Sequence, residues 1–383
     1  MTILHVVASM NPQFGGVCQA VKTIIMGTAK YALESEVVCL DSPQSDFFKE
    51  DGIFKIHALG AGKTWAYHPA LAAWLVEHLA EYDAAIIHGL WLYTDYAAMK
   101  AFLQLRSKGI KAKIFVMPHG MLDPWFQRDK SRKLKALRNE IYWRLIERKV
   151  VNSADGLLFT CEQELLLARE TFKGYRPKKE LNIGYGIQAP PVYTDDMRPA
   201  LNKPYLLFLS RIHSKKGVDL LIAAYLQLEA SGKDIPDLVI AGPKDGPYAQ
   251  TMTEQANQSK RIHFAGMLQG KDKWGAFYGC EAFILPSHQE NFGIAVVEAM
   301  ACGKPVLISN QVNIWREIAA GKGGLVAPDT LEGTYELLSN FTEMSKTRRK
   351  EMGASAMRVY QQEFTIAQAA ENMKTAIKEG TND

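Results

Sequence analysis

Ser287-His-Gln-Glu290-Asn291-Phe292-Gly293-Ile294-Ala-Val-Val-Glu298-Ala-Met-Ala301-Cys302-Gly303-Lys304-Pro305-Val306 sets two carboxylates eight positions apart around a Phe-Gly pair. The residues after Gly293 predict the start of a helix. Glycine lets backbone approach a ligand closely, and the first N–H groups of a helix have no acceptor within it, which suits an anion. A carboxylate beside that anion site would repel phosphate, so Glu290 and Glu298 suit neutral hydroxyls that donate hydrogen bonds. Phosphate plus hydroxyls describes a nucleotide-sugar. Two ordinary acids flanking a helix would show the same spacing.

Outward from this stretch the chain repeats strand, turn and helix. Short apolar runs predict strands at 3–8, 36–40, 54–59, 84–89, 113–118, 156–160 and 181–184, with helices such as 18–29, 69–80, 95–106 and 131–151 between them. The alternation breaks at Ala189-Pro190-Pro191, and the polar stretch 193–203 reads as a linker. It resumes with strands at 205–209, 238–241, 262–264, 282–285, 306–309 and 324–326. Continuous apolar strands separated by helices indicate parallel sheets covered on both faces. The expected organisation is α/β, with two doubly wound Rossmann-like domains facing a central cleft. The first spans 1–192, the second 193–360, and residues 361–383 form a C-terminal helix returning to the first. In such sheets ligands bind beyond the carboxyl ends of the strands.

At 383 residues, 47% hydrophobic and 22% charged, with net charge +4, the chain has the make-up of a soluble globular protein of two domains. Its five cysteines are scattered through apolar runs without a CxxC pair, as reduced cytoplasmic thiols are. The first residues, Met-Thr-Ile-Leu-His-Val-Val-Ala, lack a basic segment before the apolar ones and read as a strand, not as a signal peptide. No apolar run approaches the length of a membrane span.

Two glycine motifs are decoys. His57-Ala-Leu-Gly-Ala-Gly-Lys63-Thr64 has histidine where a phosphate-binding P-loop needs its first glycine, and no helix pattern begins before Pro69. Gly184-Tyr-Gly186-Ile-Gln-Ala189 fits GxGxxA, but Pro190-Pro191 prevent a helix from opening there. No Asp-x-Asp pair occurs and the nine histidines show no metal-ligand spacing, so no metal cofactor is expected. The diphosphate charge then falls to the protein. Leu209-Ser210-Arg211-Ile-His-Ser-Lys215-Lys216-Gly217 ends a strand with a bidentate arginine and a mobile lysine, a pairing suited to diphosphate.

These residues resemble the retaining GT-B glycosyltransferases of family 4, also called group 1, over nearly the whole chain. Glu290 to Glu298 matches that family's E-x7-E signature, and Ser210-Arg211-Ile212-His-Ser-Lys-Lys216-Gly217 its G-R-L-x-x-x-K-G motif, with serine for the first glycine. Gly15-Gly16 resembles the glycine turn facing the donor phosphates, and Pro118-His119-Gly120 the motif whose histidine lies by the donor sugar. Phe264-Ala-Gly266-Met267-Leu268 resembles the loop that meets the base through backbone. One departure is Gly184-Tyr185-Gly186-Ile187-Gln188, where the family commonly has P-N-G-[IV]-D.

The resemblance implies a metal-independent hexosyltransferase that retains anomeric configuration. Glu290, His119, Arg211 and Lys216 would form its catalytic set, and Asn291, Phe292, Gly293 and Ile294 would join the donor contacts. Arg211, Lys216 and the helix start would stabilise the departing diphosphate, Glu298 would hold the ribose hydroxyls and Glu290 the sugar hydroxyls. Retention is ascribed to same-face attack by the acceptor, not to a glutamate nucleophile. Family frequency favours a UDP-sugar such as UDP-glucose or UDP-galactose.

On the acceptor side, residues 128–149 hold nine basic and three acidic side chains, net +6, interleaved with apolar ones. A basic amphipathic helix fits an anionic membrane surface or an anionic acceptor, and a solvated helix face packed on the sheet would have the same pattern. Nucleic acid is not expected, because no binding motif accompanies the charge. The expectation is a polysaccharide-assembly enzyme acting on a glycan or lipid-linked acceptor, cytoplasmic and peripheral to the inner face of the membrane. The rival readings are a GT-B-fold sugar-nucleotide epimerase and a bilobal sugar-nucleotide-binding protein.

Overall fold

The computed structural model describes residues 1–14, 16–48, 54–129 and 132–381. Gly15, Lys130 and Ser131 therefore lie outside the described residues. The chain forms two compact units, residues 1–186 with 366–383, and residues 187–365. The divisions fall before residue 192 and after residue 360, because Ile187 bridges Thr365 and its N–H bonds Phe364 O at 2.9 Å.

The first unit is built on seven parallel strands: β1 (Thr2–Val6), β2 (Glu34–Cys39), β3 (Lys55–Ala58), β4 (Ala84–His88), β5 (Lys113–Met117), β6 (Gly156–Phe159) and β7 (Glu180–Asn182), ordered β3-β2-β1-β4-β5-β6-β7. Alternate residues face opposite layers. Leu4, Val6, Ala85 and Ile87 pack with Leu71, Phe102 and Trp143 on one side. Ile3, Ala84, Ile86 and Phe115 pack with Met373 and Ile377 on the other. Those last two belong to the C-terminal helix Ile366–Thr381, so this helix completes the first unit's core. Its partner is the helix Gly16–Thr28, where a Cβ on Gly27 would meet Ile366 Cγ2 at 2.6 Å.

The second unit has six parallel strands: β8 (Tyr205–Leu209), β9 (Asp237–Ala241), β10 (Ile262–Gly266), β11 (Ala282–Leu285), β12 (Val306–Ser309) and β13 (Gly324–Ala327), ordered β10-β9-β8-β11-β12-β13. Each sheet reverses its winding once, between β1 and β4 in the first and between β8 and β11 in the second. Crevices at such reversals are where open α/β sheets bind ligands.

The helix expected over 131–151 is not continuous. It runs Lys133–Tyr142, passes through a π-helical turn at Trp143–Glu147, and resumes at Arg148–Ser153. The extra residue of a π turn shifts the phase of the faces. Trp143 and Glu147 are both turned fully inward, while Leu134, Leu137, Ile141 and Leu145 are 85%, 61%, 52% and 75% exposed. The five cysteines are all buried. Among the described residues no helix is long and apolar enough to cross a membrane.

Candidate functional site

In the second unit the sequence motifs converge at the winding reversal. β8 ends at Leu209, and a 3-10 turn at Ser214–Lys216 leads through Gly217 into the helix Val218–Ala230. Gly217 has φ 66°, and a Cβ there would sit 2.0 Å from Pro286 O. Only glycine lets this turn lie directly against the backbone leaving β11. Ser287 Oγ and His288 N–H then donate to Lys215 O at 2.9 and 2.8 Å, tying the two loops together.

That docking brings Lys216 to Glu290, and their side chains form an ion pair with 9% and 22% exposure. Glu290 is also held by backbone: its N–H donates to Gln311 O and its carbonyl accepts from Asn313 N–H, both at 2.9 Å. Gly293, at φ 78° and ψ 63°, caps the helix Ile294–Ala301. The first N–H groups of that helix lie beyond reach of any helical carbonyl. Arg211 is exposed at the mouth of the turn. Burial, then Arg211, Lys215 and Lys216, holds the His213 imidazole below its ordinary value, a sign of the positive field of this loop.

Glu298 is paired with Lys273 at 2.8 Å, a residue that carries no motif in the sequence. Lys273 lies in the helix Gly270–Gly279, which opens just after the Phe264–Leu268 loop, and its ammonium stands 4.2 Å over the Trp274 ring. In that loop Gly266 adopts φ 70° and Met267 is 64% exposed, so the backbone turns outward after β10.

In the first unit Gly16 begins its helix and a Cβ there would meet nothing within 4 Å. The preceding loop is anchored by Asp41, which accepts from Ser9 Oγ at 2.6 Å and Met10 N–H at 2.7 Å. His119 and Gly120 follow β5 with φ 52° and 79°, two consecutive left-handed residues. Gly120 N–H donates to the buried Glu164 at 2.6 Å, and the other Glu164 oxygen accepts from Thr160 N–H at 2.8 Å. Glu164, like Lys273, is a supporting residue that motif reading missed.

Neither decoy loop leads directly into a helix as its pattern would require. Thr64–Ala66 is one 3-10 turn containing left-handed Trp65, not a helix start. Gly184, at φ 68°, sends the chain toward the second unit. Among the described residues no three His, Cys, Asp or Glu side chains gather as a metal site.

Two parallel α/β units, each with one winding reversal, place the chain among the doubly wound α/β proteins. The family profile "Glycosyl transferases group 1" matches residues 194–357, and "Glycosyl transferase 4-like domain" matches residues 15–186. The chain belongs to the group 1 glycosyltransferases of the family 4 type, and its fold is GT-B. It is 27% identical over 179 residues to D-inositol 3-phosphate glycosyltransferase of Jonesia denitrificans, a match over 44% of this chain and 41% of that protein. It is 24% identical over 239 residues to the GDP-mannose-dependent monoacylated alpha-(1-6)-phosphatidylinositol monomannoside mannosyltransferase of Corynebacterium glutamicum, covering 57% of this chain and 62% of that one. The chain thus spans less than two thirds of these relatives. Sucrose-phosphate synthase from Thermosynechococcus elongatus has the same fold, with TM-score 0.72 at 19% identity, covering 99% of this chain and 98% of the other. Anabaena HepE in complex with UDP and glucose superposes with TM-score 0.71 at 16% identity, over 99% and 100% of the two chains.

Proposed function

We propose that this protein transfers a hexose from a nucleotide-diphosphate sugar, with retention and without a metal, to a glycan or lipid-linked acceptor. The observation that carries the reading is the Lys216–Glu290 pair beside the helix start at Gly293. It unites an anion site with a carboxylate that accepts from hydroxyls, as a sugar diphosphate needs. Arg211 and Lys216 meet the charge that develops on the leaving diphosphate. Glu290 holds the sugar hydroxyls and Glu298 the ribose. Family resemblance adds Gly15, Gly16 and His119 of the first unit to the donor contacts, together with the Gly266–Leu268 backbone for the base. UDP-glucose or UDP-galactose is the donor proposed, and HepE, described with UDP-glucose, gives fold-level support.

Turnover of nucleotide-sugar by Glu290→Ala, Arg211→Ala and His119→Ala tests the assignment. Each loss of a charge-stabilising donor is expected to lower kcat/KM on the order of 10²–10³-fold. Near-normal kcat/KM in Arg211→Ala and Glu290→Ala would overturn it, and donor conversion to an epimer without acceptor would favour an epimerase.

The acceptor is proposed to lie at an anionic membrane surface. Leu134, Leu137, Ile141 and Leu145 form an exposed apolar stripe flanked by Lys133, Lys135, Arg138 and Arg144, as interfacial helices do. Flotation with phosphatidylglycerol vesicles is expected to carry the protein upward. Leu134→Glu with Leu137→Glu should abolish this, and no binding by the unaltered chain would leave a soluble acceptor.

A further inference from the structure

Two histidines line up behind His119, the residue assigned to the donor sugar. His5 lies in β1, His88 ends β4, and His119 follows β5. His5 Nδ1 is 2.9 Å from His88 Nε2, and His88 Nδ1 is 2.9 Å from His119 Nε2. The rings lie edge to edge, with centroids 5.1 and 5.2 Å apart and planes 23° and 26° apart. His5 and His88 are buried, whereas His119 is half-buried. Burial lowers His119 to about 4 and His5 to about 3, and burial with the two flanking rings lowers His88. At neutral pH each ring is uncharged and carries one proton.

Three protons and two contacts allow only two arrangements, because each contact needs one proton and each ring has one to give. In the first, His88 carries its proton on Nε2. His5 must then be protonated on Nε2, and His119 Nδ1 is bare. In the second, His88 is protonated on Nδ1 and accepts from His5 Nδ1–H. His119 is then protonated on Nδ1, and His5 Nε2 is bare. The far end of the chain decides between them. His5 Nε2 is buried with no hydrogen-bond partner among the described residues. An orphaned buried N–H is the rarer and costlier condition, so the bare nitrogen belongs there.

We infer that His5 and His88 are positioning residues that fix the tautomer of His119, so that it presents an Nδ1–H donor at the carboxyl end of the first sheet. The inference deepens the proposed function and rests on its placing of His119 by the donor sugar. It specifies what His119 recognises: an oxygen lone pair of a hexose hydroxyl or of the leaving group. A ring locked this way donates a hydrogen bond and does not serve as the base for the acceptor hydroxyl.

Long-range 1H–15N correlation of the imidazole rings in the labelled full-length protein reads the tautomers directly, with or without activity. The expected result is pyrrole-type Nδ1 and pyridine-type Nε2 for both His119 and His5. A bare His119 Nδ1 overturns the inference. His5→Leu removes the donor to His88 Nε2 and is expected to raise the donor-sugar KM about tenfold with little change in kcat, the effect of one misaligned hydrogen bond. His5→Gln, whose amide can donate to the same nitrogen, should restore KM and the His119 signals. Equal KM and unchanged ring signals in His5→Leu would also overturn it. The two readings separate cleanly. An Nδ1–H on His119 in a chain that transfers no sugar upholds the histidine chain and removes the donor assignment. A bare Nδ1 in a chain that does transfer sugar removes the histidine chain alone.

Discussion

Lys216 and Glu290 act on each other before they act on any ligand. With 9% and 22% of their side chains exposed, removing one leaves the other charge poorly solvated. Breaking a buried pair costs about 3–5 kcal/mol, and the water reaching Glu290 places the expected loss for Lys216→Met below that, near 2 kcal/mol. Lys216→Met with Glu290→Gln should be more stable than Lys216→Met alone, since no unpaired charge remains. Denaturant titration of the three proteins checks this, and single and double variants of equal stability would show that the pair is not formed in solution. Both residues could be read from the sequence as site groups, because their motifs are local. Their contact could not, because it depends on Gly217 lying against Pro286, two positions far apart in the chain. Lys273 was invisible for the same reason: it meets Glu298 only because the helix Gly270–Gly279 is folded beside the helix Ile294–Ala301.

At the scale of elements, two glycine turns place the charged groups, and they differ in how rigid their neighbours are. At Gly217 a Cβ would meet backbone, Pro286 O at 2.0 Å, whereas at Gly293 it would meet side-chain atoms at 3.1 Å and beyond. Both need left-handed φ, which costs roughly 1–2 kcal/mol in a residue with a Cβ. Gly217→Ala should therefore lower Tm more than Gly293→Ala, and the reverse order in thermal unfolding would show that the β8 turn is free to move. The interrupted helix over 133–153 makes a second claim. Its π turn carries Glu147 inward, where Glu147 Oε1 accepts from Trp91 N–H at 2.7 Å, and Asp95 Oδ1 accepts from Leu92 N–H at 3.2 Å. Burial, then the nearby Asp95, holds Glu147 well above the ordinary carboxylate range, and burial raises Asp95 as well. From about pH 4.5 upward the unfolded chain releases the Glu147 proton while the folded chain keeps it, so this group's stabilisation is lost as pH rises. Glu147→Gln cannot ionise, and its stability relative to the unaltered protein should improve between about pH 5 and about pH 8. A constant difference across that range would mean that no proton is held there. Apolar periodicity shows that a helix is present over these residues, but not that one inserted residue rephases it.

For the molecule as a whole, the sequence was legible wherever strands are short, apolar and buried on both faces. All thirteen strands lie within a few residues of their expected places, and β8, β11 and β12 match at both ends. The C-terminal helix expected within 361–383 runs Ile366–Thr381, with Met373, Ala376 and Ile377 on its buried face. What stayed illegible is the identity of the donor's base and sugar: the Phe264–Leu268 loop, proposed to meet the base, offers backbone and an exposed methionine in place of a discriminating side chain. That leaves ligand-linked stability of the intact chain as the discriminating measurement. A ligand bound only by the folded state adds about 2.7 kcal/mol of stability at 100 times its Kd, so at equal ligand concentration the tighter ligand gives the larger rise in Tm. Across UDP-, GDP- and ADP-sugars, UDP-glucose or UDP-galactose is expected to give the largest rise. Arg211→Ala should reduce that rise for every diphosphate alike, since the arginine meets the charge shared by all three. Glu298→Ala should weaken ribose-bearing ligands but leave inorganic pyrophosphate unaffected. A larger shift with GDP-mannose would replace the proposed donor and keep the site. Equal shifts in Arg211→Ala and the unaltered protein would remove Arg211 from the site itself.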